Sequence, residues 1–275
     1  MEQLREVQLL QLEILKETVR ICKKHDIKYF LTGGTLLGAI RHKGFIPWDD
    51  DLDIGMTREN YDKFLEVAQA ELGDKYFLQN YSTEKKFPLM FSKIRLNGTI
   101  YEEEASKRVN MHQGIYIDIF PHDARTTNLK KWKKQTRKIY LYRLILLAKV
   151  NYSIYKPNEK IKKICYAILK ILSKCISAKY LQKQLEKEAV KYKNEKYVES
   201  IVNFSTSYSY EKEMLKNEWI ADYRYEEFEG QKFMVPIGAE EFLTHLYGDY
   251  MQLPPEDKRY NRHNIQKVEL GKYKK

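Results

Sequence analysis

The sequence predicts an α/β (α+β) fold, a mixed sheet flanked by helices and carrying a basic helical insertion. Three observations predict it. Short apolar runs alternate with a period of two, as in Ile115, Ile117 and Ile119 against Tyr116, Asp118 and Phe120. Between them lie stretches with helical spacing, as in Leu4, Val7, Leu10, Ile14 and Ile21. From Leu129 to about Lys196 the composition turns to long, lysine-rich helical patterns. With 275 residues and 43% hydrophobic content, the chain can bury a real core.

Taken in order, residues from about 3 to 25 predict an amphipathic helix of structural role, and Tyr29, Phe30 and Leu31 a buried strand. Gly33 and Gly34 break that strand before a helix from Thr35 to Arg41, so their turn and the helix amides form an anion site. Next, Asp51 and Asp53 alternate with Leu52 and Ile54. A strand here would bury the apolar pair and present both carboxylates on the other face, with Asp49 extending the row. Two carboxylates about 4 Å apart at an effective dielectric near 20 repel by roughly 4 kcal/mol, a cost that a divalent cation removes. Hard oxygen ligands suit Mg²⁺ or Mn²⁺. A calcium EF-hand loop starting at Asp49 is excluded, because its sixth and twelfth positions would be Ile54 and Asn60 instead of Gly and Glu.

Thr57 is placed to cap a helix with the buried stripe Tyr61, Phe64, Leu65, Ala68 and Leu72, which Gly73 ends. Phe91 to Arg95 and Thr99 to Glu103 read as a hairpin around Asn97-Gly98, with Lys93 and Arg95 on one face, either binding nucleotide phosphates or merely exposed. In the strand that follows, Asp118 stands alone among apolar residues and needs a cation or a hydrogen-bond network. His122 and Asp123 come after Pro121 in an expected loop, which makes His122 a surface residue or a substrate contact.

The basic stretch carries the apolar stripe Ile161, Ile164, Cys165, Ile168, Leu172, Cys175 and Ile176 against Lys162, Lys163, Lys170 and Lys174. It either packs on the catalytic part with solvated lysines or lies on an anionic membrane. No nucleic-acid-binding signature accompanies it. Glu226 to Val235 predicts a hairpin turning at Glu229-Gly230, and Ala239 to Tyr247 a helix.

The stretch GGTLLGAIRHKGFIPWDDDLDIGM resembles the signature of LicD-type phosphotransferases, relatives of fukutin and fukutin-related protein in the polymerase-beta-like nucleotidyltransferase superfamily. The resemblance implies a nucleotidyltransferase-like sheet in which the glycine motif and Thr35 hold donor phosphates. It also implies that Asp51, Asp53 and the later Asp118, with Asp49 in support, act as catalytic metal ligands. Phosphocholine transfer from CDP-choline to a hydroxyl of a cell-surface glycan precursor, of teichoic acid or lipopolysaccharide type, is the implied reaction. Asp118 would ligate a metal near the acceptor and take its proton. The run YGDYMQLPP also resembles the family, and Arg259 and His263 after it are offered as contacts to a diphosphate or acceptor, or as a surface tail. Other readings are another CDP-alcohol such as ribitol or glycerol phosphate, an NTP-using nucleotidyltransferase, and a noncatalytic membrane-surface adaptor.

A formal charge of +11 points to an anionic partner: a nucleotide, a nucleic acid, an anionic membrane surface or a phosphate-rich polymer, to which the family resemblance adds a lipid-linked glycan acceptor. Cys22, Cys165 and Cys175 form no CxxC pair and read as core thiols of a reducing compartment. No signal peptide and no uncharged apolar run of about 18 residues is found, so a cytoplasmic protein is expected, peripheral on the membrane at most. The 22 tyrosines are enough to cage a quaternary ammonium, without saying which would do so. The expected division is 1–125 as catalytic core, 126–200 as basic helical segment and 201–275 as the part completing the catalytic domain.

Overall fold

The N-terminal amphipathic pattern forms α1, Glu2–Lys24, whose Val7, Ile14, Leu15 and Ile21 are buried. The structure, a computed structural model, describes residues 2–153, 159–206, 208–261 and 263–274, apart from the side chain of Lys160. After α1 come β1, Phe30–Leu31, and α2, Gly33–His42, so the two glycines open the helix instead of preceding it. Strand β2 runs Asp53–Thr57 and leads into α3, Arg58–Leu72, which Gly73 ends with a positive φ.

Strands β3, Tyr76–Gln79, β4, Ser92–Leu96, β5, Ile100–Glu103, and β6, Tyr116–Ala124, follow. The expected hairpin of β4 with β5 does not form. Both edges of β4 are taken, by β3 and by β6, so the turn at Asn97-Gly98 sends β5 away from that sheet. Strand β3 was not anticipated, and it is what excludes β5. Strand β6 also continues through Pro121, His122 and Asp123, which were expected in a loop. Pro121 fits there because β4 pairs only as far as Ile119 and the next neighbour on that edge begins at Asp123, so the missing N–H costs no ladder bond on that side.

The basic region folds as α4, Leu129–Val150, α5, Lys160–Leu172, and α6, Ala178–Ala189; its positions 154–158 lie outside the described residues. Then come β7, Ser200–Val202, β8, Met214–Lys216, and the hairpin β9, Tyr223–Phe228, with β10, Gln231–Pro236. That hairpin turns at Glu229-Gly230 as expected, both residues having positive φ. Helix α7, Ala239–Tyr247, matches its predicted bounds, and β11, Ile265–Glu269, pairs with β5.

The main sheet has the order β1-β2-β6-β4-β3, extended from the far end of β6 by β7 and β8. Only β2 and β6 run parallel, and the other neighbours are antiparallel. This mixed sheet bears out the α+β expectation. Its core includes Leu36, Ile54, Phe64, Ile94, Ile117 and Ile119. A second apolar cluster joins α4 and α6 to β7 through Trp132, Ile139, Leu146, Leu185 and Val202. Cys22 is buried, but Cys165 and Cys175 are exposed, contrary to the core-thiol reading, because the α5 face that carries Cys165 is turned to solvent. Among the described residues no helix is long and apolar enough to cross a membrane.

Candidate active site

The acidic loop ahead of β2 is not a strand before Asp53, and its backbone is held by side chains instead of ladder bonds. Gln8 Nε2 donates to the Asp49 carbonyl at 2.9 Å, and Gln11 Nε2 and Tyr101 Oη donate to that of Asp50 at 3.0 and 3.1 Å. The Asp53 amide donates to Thr35 Oγ1 at 2.8 Å. With its carbonyls engaged from α1 and β5, the loop leaves the carboxylates turned to a common space.

Asp53 lies directly opposite Asp118 on the parallel neighbour β6, so the two side chains leave the same face of the sheet about 4.8 Å apart at their backbones. Asp49 and Asp51 lie close enough for each carboxyl to perturb the other. Burial, then the charges of Asp51 and Asp50, hold Asp49 well above the usual carboxylate range. Burial, then Asp51, Asp118 and Asp49, do the same to Asp53. Burial also raises Asp51 and pushes Asp118 up to about 6, against the downward pull of Lys93. Four carboxyls that cannot all ionise together, with Asp53 Oδ1 buried and unpartnered, crowd one another here.

The amino end of α2 closes this space. A Cβ on Gly34 would stand 2.6 Å from Asp49 Oδ2, and one on Gly33, whose φ is +56°, 3.2 Å from Asp53 Oδ2. The glycines thus let unpaired helix amides approach the carboxylates with no side chain between.

On the other side, Lys93 is 3% exposed and donates to both oxygens of Asp118 at 2.8 and 3.1 Å. Its Nζ also lies 3.3 Å from the centroid of the Tyr116 ring and 3.8 Å from Glu103. Arg95 is 1% exposed and donates to Gln79 Oε1 and the Gly114 carbonyl. Neither is the exposed pair of a hairpin: both fill the interior, because β4 is central in the sheet.

His263, just ahead of β11, reaches the acidic loop. Its Nδ1 lies 2.9 Å from Asp50 Oδ1 and its Nε2 3.6 Å from Asp51 Oδ2. Burial opposes a charge there, but the hydrogen bond to Asp50 and the charges of Asp51 and Asp50 push the imidazole up to about 10. Donor atoms of Asp50, Asp51 and His263 all lie within 4.8 Å of one another, a triad compatible with a divalent metal. In its cationic form the ring is also a counter-ion to Asp50 and Asp51.

The structure therefore brings together Asp49, Asp51, Asp53, Asp118, Gly33, Gly34 and His263. Thr35 is 3% exposed and anchors the Asp53 amide instead of facing solvent. His122 is no substrate contact. It is 1% exposed within β6, with Phe30 5.2 Å away and the Gly55 backbone against it, and burial lowers it to about 4. Arg259 sits over Trp48, 5.7 Å from the ring, and donates to the Pro254 carbonyl. Sequence reasoning missed Asp50, Glu103, Tyr116, Gln8 and Gln11. Only the glutamines left a signal, as polar residues on the buried side of an amphipathic helix.

The sequence profile of the family described as LicD/FKTN/FKRP, nucleotidyltransferase domain, matches residues 26–162. Over 273 residues the chain is 34% identical to the lipopolysaccharide cholinephosphotransferase LicD of Haemophilus influenzae, covering 96% of this chain and 97% of that protein. It is 29% identical over 114 residues to the human ribitol 5-phosphate transferase FKRP, covering 40% of this chain and 20% of the relative. An uncharacterized protein of Rickettsia prowazekii is 32% identical over 133 residues, 46% of this chain and 48% of that one.

Proposed function

The chain belongs to the LicD family of phosphotransferases, and from that premise we propose that it moves phosphocholine from CDP-choline to a hydroxyl of a lipid-linked glycan precursor, releasing CMP. A phosphotransferase enzyme, not a noncatalytic adaptor, is what the family match and the cholinephosphotransferase relative establish. The in-register pair Asp53 and Asp118, beside Asp49, Asp51 and the glycine-opened end of α2, carries the reading.

Asp49, Asp51, Asp53 and Asp118 would hold Mg²⁺ or Mn²⁺, which neutralises the donor diphosphate and the charge that builds on its leaving oxygen. The amides of Gly33 and Gly34 receive phosphate oxygens at the helix end. The acceptor oxygen forms its bond to phosphorus as the bond to CMP breaks, and the acceptor proton passes to a carboxylate oxygen of Asp118. Lys93 keeps this carboxylate anionic and oriented.

A second reading, transfer of ribitol phosphate from its CDP donor, is favoured by the match to the ribitol 5-phosphate transferase. Incubation with a panel of CDP-alcohols and Mg²⁺ or Mn²⁺ separates the two by which donor yields CMP. Asp51→Asn should abolish CMP release while leaving the metal-free fold at least as stable, since it removes repulsion. Pyrophosphate release from an NTP, or no CMP from any donor, would overturn the proposal.

A further inference from the structure

Helix α5 leaves most of its apolar side chains in water. Ile161, Ile164, Ile168, Ile171 and Leu172 are 78%, 62%, 52%, 62% and 64% exposed. At about 100° per residue they fall within one arc of roughly 120°. The helix is not merely undocked. A different side, through Tyr166 and Leu169, packs against Leu147, Ala148 and Leu89, the Tyr166 hydroxyl donates to the Tyr152 carbonyl, and Lys149 Nζ donates to the Ser173 carbonyl at 3.0 Å. The free arc is therefore a presented face, held outward by a seam elsewhere on the same helix.

Charge identifies what it meets. Together α4 and α5 carry twelve lysines and arginines and no aspartate or glutamate. An aliphatic arc on a helix of this charge matches an anionic lipid surface, where the arc enters the acyl boundary and lysine stems reach back to headgroups. Its 13 residues span about 20 Å, too short to cross a bilayer but suited to lie in its plane.

The end of α4, on which α5 packs, is tied to the flank of the site. Just beyond α4, the Ser153 amide donates to the Ala105 carbonyl at 2.7 Å, two residues after Glu103, which faces Lys93. We propose that α5 docks in the plane of an anionic membrane and holds the catalytic centre at the surface where a lipid-linked acceptor lies; only the acceptor's identity rests on the proposed function.

The test is sedimentation of the full chain with vesicles of phosphatidylcholine alone or with about one-third phosphatidylglycerol. Wild type should sediment with the anionic vesicles and be released as salt rises. Ile164→Asp with Ile168→Asp should weaken binding at least about tenfold, with an unchanged Tm because both sites are exposed. Lys162→Gln, Lys170→Gln and Lys174→Gln together should flatten the salt dependence. Wild type that ignores anionic vesicles, or an Ile164→Asp/Ile168→Asp variant that binds as tightly as wild type, would overturn the proposal. So would light scattering that finds a wild-type dimer and a monomeric isoleucine variant, since the face would then belong to a second copy. CMP release in detergent-free buffer is read separately: its failure with vesicle binding intact would strike the proposed reaction and leave the docking.

Discussion

Replacing Lys93 with Met tests whether this lysine exists to keep Asp118 ionised or to grip a phosphate. Its Nζ lies 2.8 and 3.1 Å from the Asp118 oxygens, with side-chain exposures of 4% and 9%, so solvent screens the pair little. Removing one partner of such a buried pair typically costs about 3 to 5 kcal/mol, most of it from the charge left behind. That charge has an escape, because Asp118 can take up a proton. Its carboxyl already sits at about 6, above the ordinary carboxylate value, and losing Lys93 raises it further. An acid whose folded value is raised contributes stability at low pH that is lost as pH climbs through the folded value. The Lys93→Met deficit should therefore be small at pH 5 and reach about 3 kcal/mol by pH 8, measured by urea unfolding without divalent cation. Lys93→Met with Asp118→Asn should recover at least about 2 kcal/mol relative to the sum of the single losses, because no orphan charge remains. Additive single losses, or a deficit independent of pH, would refute the reasoning and return Lys93 to a phosphate-binding role.

Two further outcomes follow from packing. Gly34→Ala puts a Cβ where Asp49 Oδ2 now lies only 2.6 Å away, forcing the carboxylate to move by most of an ångström; kcat should fall by about 10²-fold while Tm holds, and wild-type turnover would remove Asp49 from the reacting geometry. His122, lowered to about 4 by burial, stays neutral in the fold while the unfolded chain takes up a proton below about 6.5. The protein should thus lose on the order of 3 kcal/mol as pH falls from 6.5 to 4, and His122→Leu should flatten that part of the urea-midpoint profile.

Much of the site was legible because its chemistry is local. The glycines, Asp49, Asp51 and Asp53 lie within 21 residues, and strand alternation set Asp118 apart as a charge needing a partner. What alternation cannot show is which strands become neighbours. The Asn97-Gly98 turn reads as a hairpin until β3 is known to hold the other edge of β4, and that one substitution of partner turns Lys93 and Arg95 from surface cations into buried ones. His122 was misplaced for a related reason: Pro121 signals a loop locally, yet the sheet tolerates it where β4 has already ended. Asp50 was passed over because the alternation argument assigns it to the wrong face, whereas the loop is held irregular by Gln8, Gln11 and Tyr101. The exposed arc of α5 followed the predicted stripe, but periodicity alone could not tell a core face from a presented one.

Strand β11 has a consequence for how the enzyme comes into being. The carboxylates belong to residues 49 to 118, but the imidazole between Asp50 and Asp51 comes from residue 263 and is carried in by the pairing of β11 with β5. On the ribosome the acidic loop emerges long before its counter-ion, so a growing chain holds Asp50 without its cation and gains it only when β11 docks. Closure of that strand is a late event of biosynthesis, and a protease cutting the exposed stretch around Met251 and Leu253 would undo it, freeing His263 while the sheet and the carboxyls of Asp53 and Asp118 on it stand.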